Sequence, residues 1–248
     1  MTAPRSGHRR ILVGAGSYAD ARAALAILDR LSDFGITDIG GLFLEDSGMM
    51  EAAASRMSAL VSPRGAIRGA PSHQALRLMW QSDARAFRER LMQLAARRAL
   101  RWSFERQPGE PVAGLCGAAQ SWDWLLIGHL PSGAHAGRVV GIAPAREGGD
   151  GVAQLTEALA HSLRSGAVLI PDSTSEAEIL ARLEHLHAAA VVVDAASGPF
   201  RTAAQIRALL AAARCPVLVL GAARIPTLVE HNTQIPVPPR GQDGGQSG

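Results

Sequence analysis

The sequence contains no lysine, so all 25 of its basic side chains are arginines. A chain without lysine has no Walker A phosphate loop, no Schiff-base nucleophile and no pyridoxal phosphate anchor. Cysteine is nearly absent as well. Cys116 and Cys215 stand alone, which excludes a disulfide framework and any CxxC-type zinc spacing. Aromatic residues make up 4% and the formal charge is only +3. No arginine run is interleaved with aromatics, so the chain lacks the footprint of a nucleic-acid-binding protein. No apolar run approaches the ~20 residues of a bilayer span. The opening MTAPRSGHRR runs into a short apolar stretch without a signal-peptide h-region. Together these absences predict a cytoplasmic protein with no membrane and no nucleic-acid partner.

What is present is an apolar, glycine-rich chain of 248 residues, 47% hydrophobic and with 26 glycines. Ile11–Val13 is strand-like and ends in Gly14-Ala15-Gly16-Ser17. Ala21, Ala24, Leu25, Leu28 and Leu31 then recur at helical spacing, with Gly35 as the expected C-cap. Ile36–Leu44 reads as a second strand closing on Glu45 and Asp46. A Met-, Ser- and Gly-rich stretch, 47–72, predicts a loop with a short helix, and Met49, Met50 and Met57 offer an adaptable surface. A long helix is expected over His73–Ala99, with Leu76, Met79, Trp80, Phe87, Leu91 and Leu94 in its apolar stripe. Arg85, Arg88, Arg90, Arg97 and Arg98 would form its solvated face.

Arg101–Arg106 predicts a third strand, Pro108-Gly109 a turn, and Glu110-Pro111 a helix start. Trp124–Ile127 is continuously apolar, as a parallel strand covered on both faces must be. Shorter units follow: strands at 139–142, 167–170, 191–193 and 217–220, and helices at 154–163, 176–186 and 203–212. Alternating strands and helices imply βαβ crossovers and a doubly wound α/β fold. A constant offset of 65 residues lays 101–133 over 166–198 without a gap, strand on strand and helix on helix. The reading is therefore two unequal halves, 8–137 and 138–221, followed by a disordered tail over 222–248 that is rich in Pro, Gly and Gln.

Ligands of open α/β sheets bind beyond the carboxyl ends of the strands. This directs attention to Gly14, Gly16 and Ser17 in one loop and Gly128, His129, Ser132 and Gly133 in another. Backbone N–H groups at a glycine turn before a helix attract anions, and Ser17 can either donate to a phosphate or cap the helix. Gly14, Gly16 and Ala19 also satisfy a dinucleotide fingerprint with Glu45 as a ribose ligand, but the spacing to Glu45 is long for it. Asp172-Ser173-Thr174-Ser175 before Glu176 reads as a helix cap. His185 and His187, two apart on a helix, face apart and make poor metal ligands. Trp122 and Trp124 flank Asp123 and are candidates to cover a seam between the halves.

The segments Gly109-Glu110-Pro111-Val112-Ala113 and Asp123-Trp124-Leu125-Leu126-Ile127-Gly128 resemble a pattern of the universal stress protein family. Cys215-Pro216-Val217-Leu218-Val219-Leu220 is similar to that family's closing strand, and Ile11–Leu25 to its opening. The resemblance implies a Rossmann-like fold of the adenine-nucleotide α-hydrolase type and a protein that works by dimerising and contacting partners. The ATP-binding pattern is eroded. Ala15 or Gly16 stands where ATP-binding members carry an Asp, the loop after Gly128 lacks the triphosphate spacing, and the first half lacks its own fourth helix and fifth strand. The expectation is a non-enzymatic stress-adaptation or regulatory protein with no cofactor. ATP is the alternative ligand, in a nucleotide switch, and an NAD(P)-dependent oxidoreductase is a more distant reading. A homodimer through the edge of Val217–Leu220, or coverage of that strand by the first half, completes the expectation.

Overall fold

Trp124–Ile127 and Val217–Leu220 are both apolar at successive positions, and such strands need cover on both faces. The computed structural model, which describes residues 8–31, 34–54, 59–61, 67–69, 72–130, 137–143 and 150–226, provides it by placing them side by side in the middle of one sheet. The strands are β1 (Arg9–Ala15), β2 (Ile36–Asp46), β3 (Ala59–Val61), β4 (Ile67–Gly69), β5 (Arg101–Gly109), β6 (Trp124–Ile127), β7 (Arg138–Ala143), β8 (Ala167–Pro171), β9 (Ala188–Asp194) and β10 (Val217–Leu220). The helices are α1 (Tyr18–Leu28), α2 (Ser47–Ala54), α3 (His73–Arg98), α4 (Pro111–Ala118), α5 (Asp150–Leu163), α6 (Glu176–His185) and α7 (Ala203–Ala213).

Eight strands form the main sheet in the order β5-β2-β1-β6-β10-β9-β7-β8, and β3 and β4 make a separate hairpin. Each half is parallel within itself: β1 pairs in parallel with β2 and β6, and β7 with β8 and β9. The halves meet where β10 runs antiparallel to β6, with Val217 opposite Ile127 and Leu220 opposite Trp124. The fold is therefore a doubly wound α/β architecture, with the two expected parallel sheets fused into one. Side chains from α4, α6 and α7 share one core layer with Leu12, Leu125, Val191 and Val217. Those of α1, α3 and α5 share the other with Ile11, Leu126, Val192 and Leu218. Both layers run uninterrupted across the junction.

Several expectations are corrected. Strand β10 is not at an edge: its other side pairs in parallel with β9, so both of its hydrogen-bonding edges are used within the chain. The first half covers it because that half has no fifth strand of its own, which closes the β10 route to a homodimer. Pro108-Gly109 is not a turn, since β5 continues in register with β2 to pair Gly109 with Asp46. Gly35 does not cap α1, which ends at Leu28 with Asp29 as its cap; Gly35 instead takes a left-handed φ of 66° on entry to β2. Met79 faces outward, 46% exposed, while Leu76, Trp80, Phe87, Leu91 and Leu94 are buried as their spacing requires. The ordered body extends past 222, because Ala222 and Ile225 are 0% and 1% exposed. Residues 227–248, Met57, Ser132 and Gly133 lie outside the described residues.

The two tryptophans beside Asp123 take opposite faces. Trp122 packs into the α4 layer over Gly40, where a Cβ would collide with its ring. Trp124 lies in the α1 layer with Phe34 at 6.3 Å and the Arg9 guanidinium at 5.0 Å from its ring centre. Neither forms a seam between the halves alone.

Candidate functional site

The end of β1 is tied to the end of β6 by the Gly128 N–H, which donates to the Gly14 carbonyl at 2.8 Å. Gly14 has no Cβ because the Leu115 side chain fills that space, and Gly128 has none because the Asp20 backbone carbonyl approaches it. Both glycines are thus explained by close packing. Gly16 is looser, with the Leu44 carbonyl 3.7 Å from where a Cβ would sit.

Ser17 is the N-cap of α1, in extended geometry, with its hydroxyl accepting the Asp20 N–H at 3.1 Å. The same hydroxyl donates to the Asp20 carboxylate at 2.6 Å, and the other carboxylate oxygen accepts the Leu130 N–H at 2.7 Å. From the α3 side, the Asp83 carboxylate accepts the Tyr18 N–H at 3.1 Å. His129 turns its Nδ1 to the Leu130 carbonyl, 3.0 Å away. The structure therefore brings Gly14, Gly16, Ser17, Gly128 and His129 together in one corner. The donors there serve two carboxylates of the chain itself. A helix N-terminus carries about half a positive charge, and Asp20 and Asp83 complement it from within.

Asp20 had a signal in the sequence: Ser17-Tyr18-Ala19-Asp20 is the capping spacing of a hydroxyl followed by an acid three residues on. Asp83 had none, because it lies 65 residues away and reaches the corner only through packing of α3 on α1.

In the second half the corresponding loop is closed by its own residues. The Asp194 carboxylate accepts the Ala196 N–H and the Ser197 hydroxyl, both at 2.8 Å, and its carbonyl accepts the Gly198 N–H at 2.7 Å. Arg201 donates to the Gly198 and Ser197 carbonyls at 2.7 and 3.2 Å. Thr202 and Gln205 then form a capping box on α7. Ser175 caps α6 as its sequence context requires, accepting the Glu178 N–H at 3.3 Å. Because β6 and β10 are antiparallel, the two loop systems open at opposite ends of the sheet.

Among the described residues one ion pair spans the halves. Glu110, the N-cap of α4, receives the Arg207 guanidinium of α7 through both oxygens, at 3.1 and 2.7 Å. Partial burial pushes the Glu110 carboxyl up. The Arg207 hydrogen bond and the backbone N–H groups of Ala113 and Val112 more than offset that and hold it below its ordinary value. Burial pushes both thiols, Cys116 and Cys215, up to about 12, so neither supplies a thiolate near neutrality. Among the described residues no three His, Cys, Asp or Glu side chains gather as a metal site, and no helix is long and apolar enough to cross a membrane.

No protein-family model matches the chain, and no curated protein matches it in sequence. Among solved structures it is similar to a universal stress protein from Archaeoglobus fulgidus DSM 4304, at 11% identity and a TM-score of 0.40. That likeness covers 85% of this chain and 95% of the other.

Proposed function

We propose that this chain is a non-catalytic cytoplasmic regulatory or stress-adaptation protein that acts by binding and assembly, and that its β1 loop holds no ATP. The observation that carries the second part is the pair of carboxylates at the α1 N-terminus. Asp20 and Asp83 engage the Ser17 hydroxyl and the Tyr18 and Leu130 N–H groups, the donors a phosphate would require. A phosphate placed there would displace them and face like charge. Two unit charges about 4 Å apart repel by about 4 kcal/mol at an effective dielectric constant of about 20. The stress-adaptation part rests on the resemblance carried by Gly109–Ala113, Asp123–Gly128 and Cys215–Leu220.

Assembly falls to the two strands at the ends of the main sheet, β5 and β8, whose outer edges have no partner among the described residues. Strand β5 guards its edge with Arg101, Glu105 and Arg106, whereas β8 has no charged residue and exposes Leu169 at 43%. A homodimer through β8 is the form this reading favours.

The test is mass spectrometry of small molecules released by heat from freshly purified protein, beside sedimentation of the native chain and of Leu169→Arg. The expected result is no nucleotide and a native dimer that Leu169→Arg turns into a monomer. Stoichiometric ATP or ADP would overturn the proposal in favour of a nucleotide switch. A native monomer would remove the assembly part.

A further inference from the structure

Helix α1 turns Arg22 and Ala26 to one side at four-residue spacing, Arg30 follows just beyond its Asp29 cap, and α3 lines the same depression with Arg90, Leu94 and Arg97. Between the two helices lies a depression of about 220 Å3, bordered by these four arginines and one carboxylate, Asp29. The carboxylate is already committed: Arg98 and Arg97 reach the same Asp29 oxygen at 3.0 and 3.7 Å. Arg90 has only the Gln93 side-chain oxygen at 3.4 Å, and Arg22 and Arg30 have no side-chain partner among the described residues. Three arginines that have no carboxylate partner among the described residues thus border one concavity. Its floor is apolar, formed by Leu25, Leu94 and Leu163, and a low-dielectric wall strengthens the field of the charges above it.

We propose that this groove is a binding site for a small polyphosphate anion carrying at least two phosphoryl groups. Arginine forks match the geometry of phosphate oxygens in paired hydrogen bonds and stay charged at any physiological pH. One phosphoryl group would satisfy one or two forks, and the spread of the three arginines around the depression calls for a longer anion. None of the residues bordering the groove makes the contacts of the Ser17 corner, so nucleotide held by the native chain is assigned by the Arg22→Gln/Arg30→Gln variant: lost with the two arginines it belongs to the groove, and kept it belongs to the β1 loop.

The probe is inorganic pyrophosphate, compared with sodium chloride at equal ionic strength. Thermal unfolding and titration calorimetry are run on the native chain, on the Arg22→Gln/Arg30→Gln double variant, and on Arg182→Gln as an exposed control on α6. Both substituted groove positions are exposed, so the double variant keeps its core. Pyrophosphate at about 100 times its Kd is expected to raise the native Tm by roughly 5–10 °C. The control is expected to keep that rise and the double variant to lose it, with a Tm equal to or above that of the native chain when no anion is added. No rise, an equal rise with sodium chloride, or a rise retained by the double variant would overturn the proposal. Calorimetry on the native chain decides the matter if melting is irreversible.

Discussion

The first half connects β1 to β6 through two strands of the main sheet and three crossovers, whereas the second connects β7 to β9 through one strand and two crossovers. In the first, α1 leads from β1 to β2, α3 leads on to β5 at the edge, and α4 returns to β6 on the other side of β1. In the second, α5 leads from β7 to β8, and α6 returns at once to β9 on the other side of β7. Strand β8 therefore does the work of both β2 and β5. One main-sheet strand, the β3–β4 hairpin and two helices therefore have no counterpart in the second half, and the fifth position has no strand in the first. The deficits are complementary at the junction: the open edge of β6 is filled by β10. Two incomplete halves make one sheet with a shared core, and β6 gains a neighbour on its outer side only from β10.

The strongest way to break this picture is Val219→Pro. Val219 faces Leu125 on one side and Val193 on the other, so its N–H belongs to a ladder whichever way it points. Removing it inside the sheet is expected to cost at least about 3 kcal/mol and to leave a chain that does not fold cooperatively in urea. At the sheet's margin, Leu169→Thr on β8, compared at dilutions where the native chain is monomeric, should cost no more than about 1 kcal/mol. Equal costs at the two positions would deny that β10 is interior.

A smaller effect compares the loops. Gly128→Ala forces a methyl onto the Asp20 carbonyl and Gly198→Ala one onto the Asp194 carbonyl; each is expected to cost about 1–3 kcal/mol in urea unfolding. Gly16→Ala, whose methyl would meet only the Leu44 carbonyl at an ordinary contact distance of 3.7 Å, should remain within about 0.5 kcal/mol. A large cost at Gly16 would mean that the β1 loop is packed more tightly than its neighbours indicate.

The smallest effect tests the charged link across the halves. Glu110 is held below its ordinary value in the folded chain, so its contribution is present above its unfolded value of about 4.3 and is lost as pH falls through the folded one. Both partners are about half exposed, and solvent screening limits such a pair to roughly 0.2–1 kcal/mol. Glu110→Gln should therefore be less stable than the native chain at about pH 7 and indistinguishable from it at about pH 3. A difference that persists in acid would assign the loss to packing instead of charge.

The order and type of the main elements were legible because their signals are local. The stripe of α3, the unbroken apolar runs of β6 and β10, and the hydroxyl caps at Ser17 and Ser175 all act within a few residues. The 65-residue offset was also sound in pattern, since β5, α4 and β6 fall on β8, α6 and β9. Strand neighbours were less legible. Nothing within Val217–Leu220 tells an edge from an interior position, because an apolar strand suits either once both faces are covered. The candidate corner was found from its glycines, which mark close backbone approach. What fills it was not, because Asp83 arrives from a distant helix. The arginines of α3 read as a solvated face, and only the packing of α1 beside them shows that Arg22 and Arg30 extend the cluster into a groove.

The antiparallel seam between β6 and β10 also sets a schedule. During synthesis from the amino end, β6 emerges with one side unpaired and stays so until α5, α6, α7 and finally β10 have been made. Sheet completion waits on a contact that is among the most distant in sequence, and distant contacts close slowly. The nascent first half is thus an unfinished template with a sticky flank, and a ribosome that stalls before Val217 releases a species prone to pair with its neighbours. For this molecule, reading through to the last strand is the step that turns a hazard into a folded protein.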